Sequence, residues 1–168
     1  MSESIVMEKS AKKKQQVKKD EKQQLFQIKQ FYLKEVNFEA LTPMHLIGEQ
    51  WQPEAKMDLD VGILAYDNNH YAVELKILVN VSMEKPVFNL KLTHGGIFEI
   101  SGYDDASLRH LLNSFCANTI FPYARQVVTQ TTAQAGYPAL NLAPFDFEGR
   151  FHALVEQEKA KKKEKEKS

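Results

Sequence analysis

The sequence predicts an α+β fold: a four-stranded antiparallel sheet, arranged as a meander, with one long kinked helix and a shorter C-terminal helix on one face. Three observations carry this. Apolar residues alternate with polar ones from about residue 26 to residue 98, the period of half-buried strands. From Leu108 onward the spacing changes to that of a helix, through Leu111, Leu112 and Phe115. Strands come first and helices last, which places the helices together over one sheet face.

In the first run, Phe26, Ile28, Phe31, Leu33, Val36 and Phe38 alternate with a shift of phase, which predicts a long strand with a bulge. Leu41 to Gln52 reads as a loop. Met57, Leu59, Val61 and Ile63 then alternate with Lys56, Asp58 and Asp60 in a second strand between Pro53 and Tyr66. Asp67-Asn68-Asn69-His70 supplies turn chemistry, so the third strand, with Tyr71, Val73, Leu75, Ile77, Val79 and Val81 on one face, pairs back antiparallel. Phe88, Leu90, Leu92 and His94 share a face of the fourth. Gly95-Gly96 is expected to bend or bulge that strand before it continues through Ile97 to Ser101. In such a meander the open edges fall on the first and last strands.

Asp104-Asp105 can cap a helix that runs to Gln134, with Pro122 kinking it and Gly136 ending it. Phe147, Phe151, Leu154 and Val155 give a second helix, Asp146 to Glu158, its apolar face. Residues 25–155 form the domain, since 168 residues suffice for one core and are too few for two ordinary ones. Residues 1–24 carry seven Lys against four acids and residues 156–168 six Lys against four. That composition predicts disordered tails, the second beginning as the end of the helix. The middle is left with nine Lys plus Arg against fourteen Asp plus Glu, net −5, in a chain that sums to zero. An acidic folded part disfavours nucleic acid, which needs clustered cations.

Catalysis finds little purchase. Nucleophile elbows, phosphate loops and dinucleotide fingerprints are missing from the sequence, and His45, His70, His94, His110 and His152 have no ligand spacing, so no catalytic residue, metal or cofactor is expected. Cys116 reads as a small buried hydrophobe. No apolar run reaches the roughly 18 residues of a membrane helix, and no signal peptide follows the Lys-rich start, which predicts a cytoplasmic protein without stable membrane insertion.

Phe121-Pro122-Tyr123-Ala124-Arg125, the connector Tyr137-Pro138-Ala139-Leu140-Asn141-Leu142-Ala143-Pro144, Trp51-Gln52-Pro53-Glu54 and Gly95-Gly96-Ile97-Phe98 together resemble the bacterial protein-export chaperone SecB, over about Phe26 to Leu154. The resemblance implies an ATP-independent chaperone that holds unfolded secretory precursors and delivers them to the ATPase SecA. It also implies a homotetramer, a dimer of dimers, built from extended sheets and sandwiched long helices, with Leu108, Leu111, Leu112 and Phe115 at the oligomer interface. Phe38, Trp51, Leu90, Leu92, His94, Ile97 and Phe98 are the implied client groove. Glu35, Glu39, Asn89 and Lys91 occupy the implied SecA-binding face, where the family's leucine and glutamate are replaced by Asn89 and Lys91, exchanging a negative charge for a positive one. Two alternatives stand beside this: a branch dedicated to another client such as an antitoxin, and a small-molecule-binding α+β domain with a closed pocket.

Overall fold

A computed structural model describes residues 23–48 and 50–166. Four strands, β1 (Leu25–Ala40), β2 (Glu54–Ala65), β3 (His70–Ser82) and β4 (Pro86–Ser101), form one antiparallel sheet. Short turns join β2 to β3 and β3 to β4, and Asn68 and Asn69 take the left-handed conformation (φ 60° and 59°) that the first hairpin requires and that Asn tolerates. The strand order is β1-β4-β3-β2. Only the last three strands therefore run as a meander. The segment after β1 crosses to the far edge, a Greek-key connection, so the open edges are β1 and β2 and the last strand is central. The β3–β4 hairpin leaves β4 one unpaired edge, and the backbone of β1 fills it by antiparallel pairing.

The phase shift in β1 is real and double: its register against β4 slips between Ile28 and Gln30 and again between Leu33 and Glu35. Gly95-Gly96 is not the bend expected of it, because β4 holds its register with β3 straight through both glycines. They lie opposite Tyr32 and Phe31, between the two slips. A Cβ on Gly96 would come within 2.9 Å of the Phe98 ring and 3.2 Å of that of Phe31, and one on Gly95 would fall inside that of Tyr32. The doublet makes room for Phe98 of its own strand and for two aromatic rings of β1.

The long helix is α1 (Asp105–Leu111), a π-helical turn (Leu112–Cys116) and α2 (Ala117–Gln134) joined end to end. Asp104 caps it by accepting from the Ser107 amide at 2.9 Å. The irregular turn comes before Pro122, which lies within α2 itself with its exposed ring toward solvent. Gly136, at φ 86°, ends the helix. The connector that follows is strapped to α2: Thr129 donates to the Leu140 carbonyl and the Leu140 amide to Thr132, both at 3.0 Å.

The final helix, α3 (Phe147–Glu166), runs well past Glu158, so the Lys/Glu-rich segment is helical through residue 166 rather than disordered beyond its helix end. Lys and Glu are good helix formers, and ion pairs Lys159–Glu156 (3.0 Å) and Arg109–Glu158 (2.6 Å) support it. Residues 1–22, nearly all of the N-terminal tail, lie outside the described residues. Helices cover one sheet face, and the core is the seam between them: Val73, Leu75, Ile77, Val79, Phe88, Leu90, Leu92, Phe98 and Ile100 against Leu112, Cys116, Ile120, Ala124 and Val128. No described helix is long and apolar enough to cross a membrane.

Candidate functional site

Strand alternation sorts the expected residues between two faces and three places. The first is an aromatic hollow at the end of the sheet where β1 stops and β4 starts. Phe38 packs on Phe88 and Tyr137, with ring centroids 5.1 and 6.0 Å away, and Trp51 approaches Tyr137 at 6.3 Å. Tyr137 is the hub: its hydroxyl donates to the Thr42 carbonyl at 2.9 Å, tying the connector to the crossover segment, and burial pushes its hydroxyl's pKa up. The amides of Leu41 and Thr42 both donate to the Val87 carbonyl, and the Thr42 hydroxyl to that of Pro86 at 2.7 Å, which pins the crossover to β4. Beside this cluster opens a cavity of about 840 Å³ with an apolar floor from Leu41, Leu46, Ile47, Met83 and Val87, and a polar rim from Gln50, Gln52, Glu54, Glu84 and Lys85. Leu46 is 67% exposed.

Of the seven groove residues expected, only Phe38 and Trp51 belong to this hollow. Leu90, Leu92 and Phe98 are wholly buried in the core beneath the long helix and do not line the cavity. Ile97 lies on the opposite face, next to the outward Thr93, because the strand does not bend at the glycines. His94 is buried farther along the helix side, with Tyr123 stacked over it at 6.1 Å. Tyr137, Leu46 and Met83 were missed; the proline-rich connector was visible in sequence, but its return to the crossover is a tertiary fact.

The second place is a strip along the helix side of β1, where Ile28, Leu33 and Val36 stand exposed beside Phe115 and Tyr123 of the long helix. Phe31 and Tyr123 stack at 4.5 Å and Phe26 meets Phe115 edge to face at 5.4 Å. Of the expected oligomer-interface set, Phe115 lies here at 52% exposed, Leu108 and Leu111 are partly buried and Leu112 is core. The third place is the outer sheet face, which holds all four residues expected to meet SecA. Lys91 reaches back to Glu35 at 3.2 Å, while Glu39 is paired in register with Asn89. Lys29–Glu99 and Lys34–Glu74, at 2.8 and 2.9 Å, continue a row of matched charges along this face.

The aromatic hollow, the uncovered apolar strip and the open strand edges offer surfaces suited to binding other chains, as a chaperone does. A sequence model of the preprotein translocase subunit SecB matches residues 19–159, and the chain belongs to the SecB family. The fold is similar to that of a SecB-like chaperone from Mycobacterium tuberculosis, solved with a peptide from an antitoxin: TM-score 0.62, 15% identity, 72% of this chain and 91% of that one covered. A Streptococcus agalactiae protein of unknown function matches at TM-score 0.41 and 11% identity, over 72% of this chain and 98% of that one.

Proposed function

We propose that this chain is an ATP-independent holdase that keeps unfolded secretory precursors from aggregating. The observation that carries the reading is the open 840 Å³ cavity beside the aromatic cluster: apolar side chains with a polar rim, on a crossover segment pinned to β4 by main-chain bonds and tied to Tyr137, with Leu46 facing solvent. An extended apolar segment gains burial there without sequence-specific contacts, which suits broad client choice. The strip beside the β1 edge supports assembly into a dimer of dimers, since an open edge flanked by exposed apolar side chains calls for another strand. Cytoplasmic action without a cofactor belongs to the same reading.

Delivery to SecA is the finer part. Glu35 and Glu39 suit a basic docking segment, but Lys91 neutralises Glu35, so opposed charges steer such a partner less than an unpaired acidic face would. That matched row favours, as the second reading, a chaperone dedicated to another client. Lys91→Glu separates them: at low salt it should tighten binding of a basic SecA tail peptide, and unchanged binding would count against SecA docking on this face.

The test of the main reading is aggregation of a urea-diluted, slow-folding precursor with and without this protein, no nucleotide present, alongside light-scattering mass. Suppression at about one assembly per client is expected; a protein that suppresses nothing refutes it.

A further inference from the structure

A second cavity, of about 510 Å³, opens between the π-helical turn of the long helix and the start of α3. Its apolar walls are Leu111, Phe115, Phe145 and Phe147, and Asp146 and Glu148 bring two carboxylates to it. Among the described residues no Lys or Arg lines it, and the flanking Arg109 and Arg150 are committed elsewhere, to Glu158 at 2.6 Å and to Asp60 at 2.9 Å. Both carboxylates are held in place. Asp146 accepts from the Gly149 amide at 2.9 Å, in a seat so close that a Cβ on Gly149 would lie 2.9 Å from its carboxyl carbon. Glu148 accepts from the Ser114 hydroxyl and lies 2.7 Å from His110 Nε2 and 3.1 Å from His152 Nε2. The Ser114 bond, followed by that of His110, holds the Glu148 carboxyl below its usual range and so keeps it charged.

The chain enters the fold beside this cavity. Gln23, where the described residues open, stands three residues, about 10 Å of strand, before Phe26, whose ring meets Phe115 edge to face at 5.4 Å. Residues 1–22 contain one run of three apolar residues, Ile5-Val6-Met7, followed by Lys9, Lys12, Lys13 and Lys14 with no acid among residues 9–14. Sixteen residue steps separate Met7 from Gln23, an extended reach of about 55 Å, well beyond what a return to Phe115 requires.

We propose that this cavity is the docking site of the chain's own segment 1–22, with Ile5-Val6-Met7 against the aromatic wall and Lys9 to Lys14 beside Asp146 and Glu148. The match is one of both charge and apolar character: a wall of rings next to two carboxylates meets an apolar triad next to four lysines. Tethering favours this occupant over a free peptide of like composition, because a linked segment meets its site at an effective concentration of roughly mM. Docked, the segment takes the Phe115 ring, 52% exposed, out of water and serves as a cover carried by the chain itself. The proposal stands independently of the client reading, since it uses neither the hollow nor its cavity.

The test places the photoreactive residue p-benzoylphenylalanine at position 6 of the full chain and maps its cross-links by mass spectrometry. At about 50 mM salt the cross-links should run within one copy, to residues 111–118 and 145–148. Raising salt to about 500 mM should lower their yield about fivefold, the loss expected when two exposed ion pairs are screened. Asp146→Asn combined with Glu148→Gln should do the same, because the amides keep the cap and the acceptor for Ser114 but carry no charge. Cross-links scattered over the whole surface overturn the proposal, as do cross-links that join two copies on a denaturing gel and so give the cavity to a neighbour's segment. Cross-links confined to the cavity but indifferent to salt and to the charge change overturn the pairing with lysines. Should the double variant fail to fold, the salt series on the otherwise unaltered chain decides.

Discussion

Substituting Gly95→Ala tests how β1 is held to the sheet. Its Cβ would lie 2.6 Å from the Tyr32 hydroxyl oxygen and 2.9 Å from Cε1, far inside van der Waals contact, and the ring rests between the strands with nowhere to retreat but outward. That retreat breaks the 2.9 Å bond from the Tyr32 hydroxyl to Glu74, a carboxylate only 6% exposed that would keep Lys34 alone. Overpacking costs about 1–3 kcal/mol and a hydrogen bond to a charged group about 1.5–3 kcal/mol. Because the ring cannot both clash and leave, about 2–4 kcal/mol is expected in all, or roughly 6–12 °C of melting temperature. In a Tyr32→Ala background the same change should cost below about 1 kcal/mol, a coupling of about 2 kcal/mol. Urea unfolding at fixed protomer concentration measures both. Equal costs in the two backgrounds would refute the close-approach account of this glycine.

Trp51→Ala should weaken suppression of precursor aggregation several-fold while the melting temperature moves by no more than a few degrees, because the ring is half-buried and meets Tyr137 at 6.3 Å; unchanged suppression would remove it from the client site. Cys116 is wholly buried with its thiol raised to about 12, so it should resist a thiol reagent at pH 8 until denaturant is added, and prompt labelling would reveal an open helix seam. Burial pushes the Glu74 carboxyl up, yet the bonds from Lys34 and Tyr32 outweigh it and hold it below its usual value. The stability this carboxylate contributes is therefore complete above about pH 4.5 and lost as pH falls through its folded value. Glu74→Gln should flatten melting temperature against pH between 3 and 5, and an unaltered acid limb would contradict the assignment.

Period-two alternation places each strand within a residue or two of its position, since burial of one face forces that pattern. The slip of β1 was legible for the same reason, as a break in phase after Ile28 and after Leu33. Strand order was not, because nothing local tells β1 that its partner is β4. The faces of the candidate site depended on one local judgement, whether Gly95-Gly96 bends. A bend would have put Ile97 with Phe98 in the groove; the straight strand sends it outward, and the missing side chains turn out to serve Phe31 and Tyr32 on the neighbouring strand. Composition reads Lys161 to Glu166 as a disordered tail, because it lacks apolar residues to bury; the helix nonetheless continues through Glu166, where Lys and Glu are good helix formers.

The Greek-key order has a temporal meaning. Leu25 pairs with Ser101, so the first strand to leave the ribosome waits for the last before it has anywhere to go. At about 5–20 residues per second, that interval lasts roughly 4–15 s. During it Phe26, Phe31, Leu33 and Phe38 stand on an unpaired strand in water, the same kind of segment proposed to lodge in the finished hollow. On the proposed reading, each newly made copy presents, for those seconds, the kind of segment that the finished fold would hold.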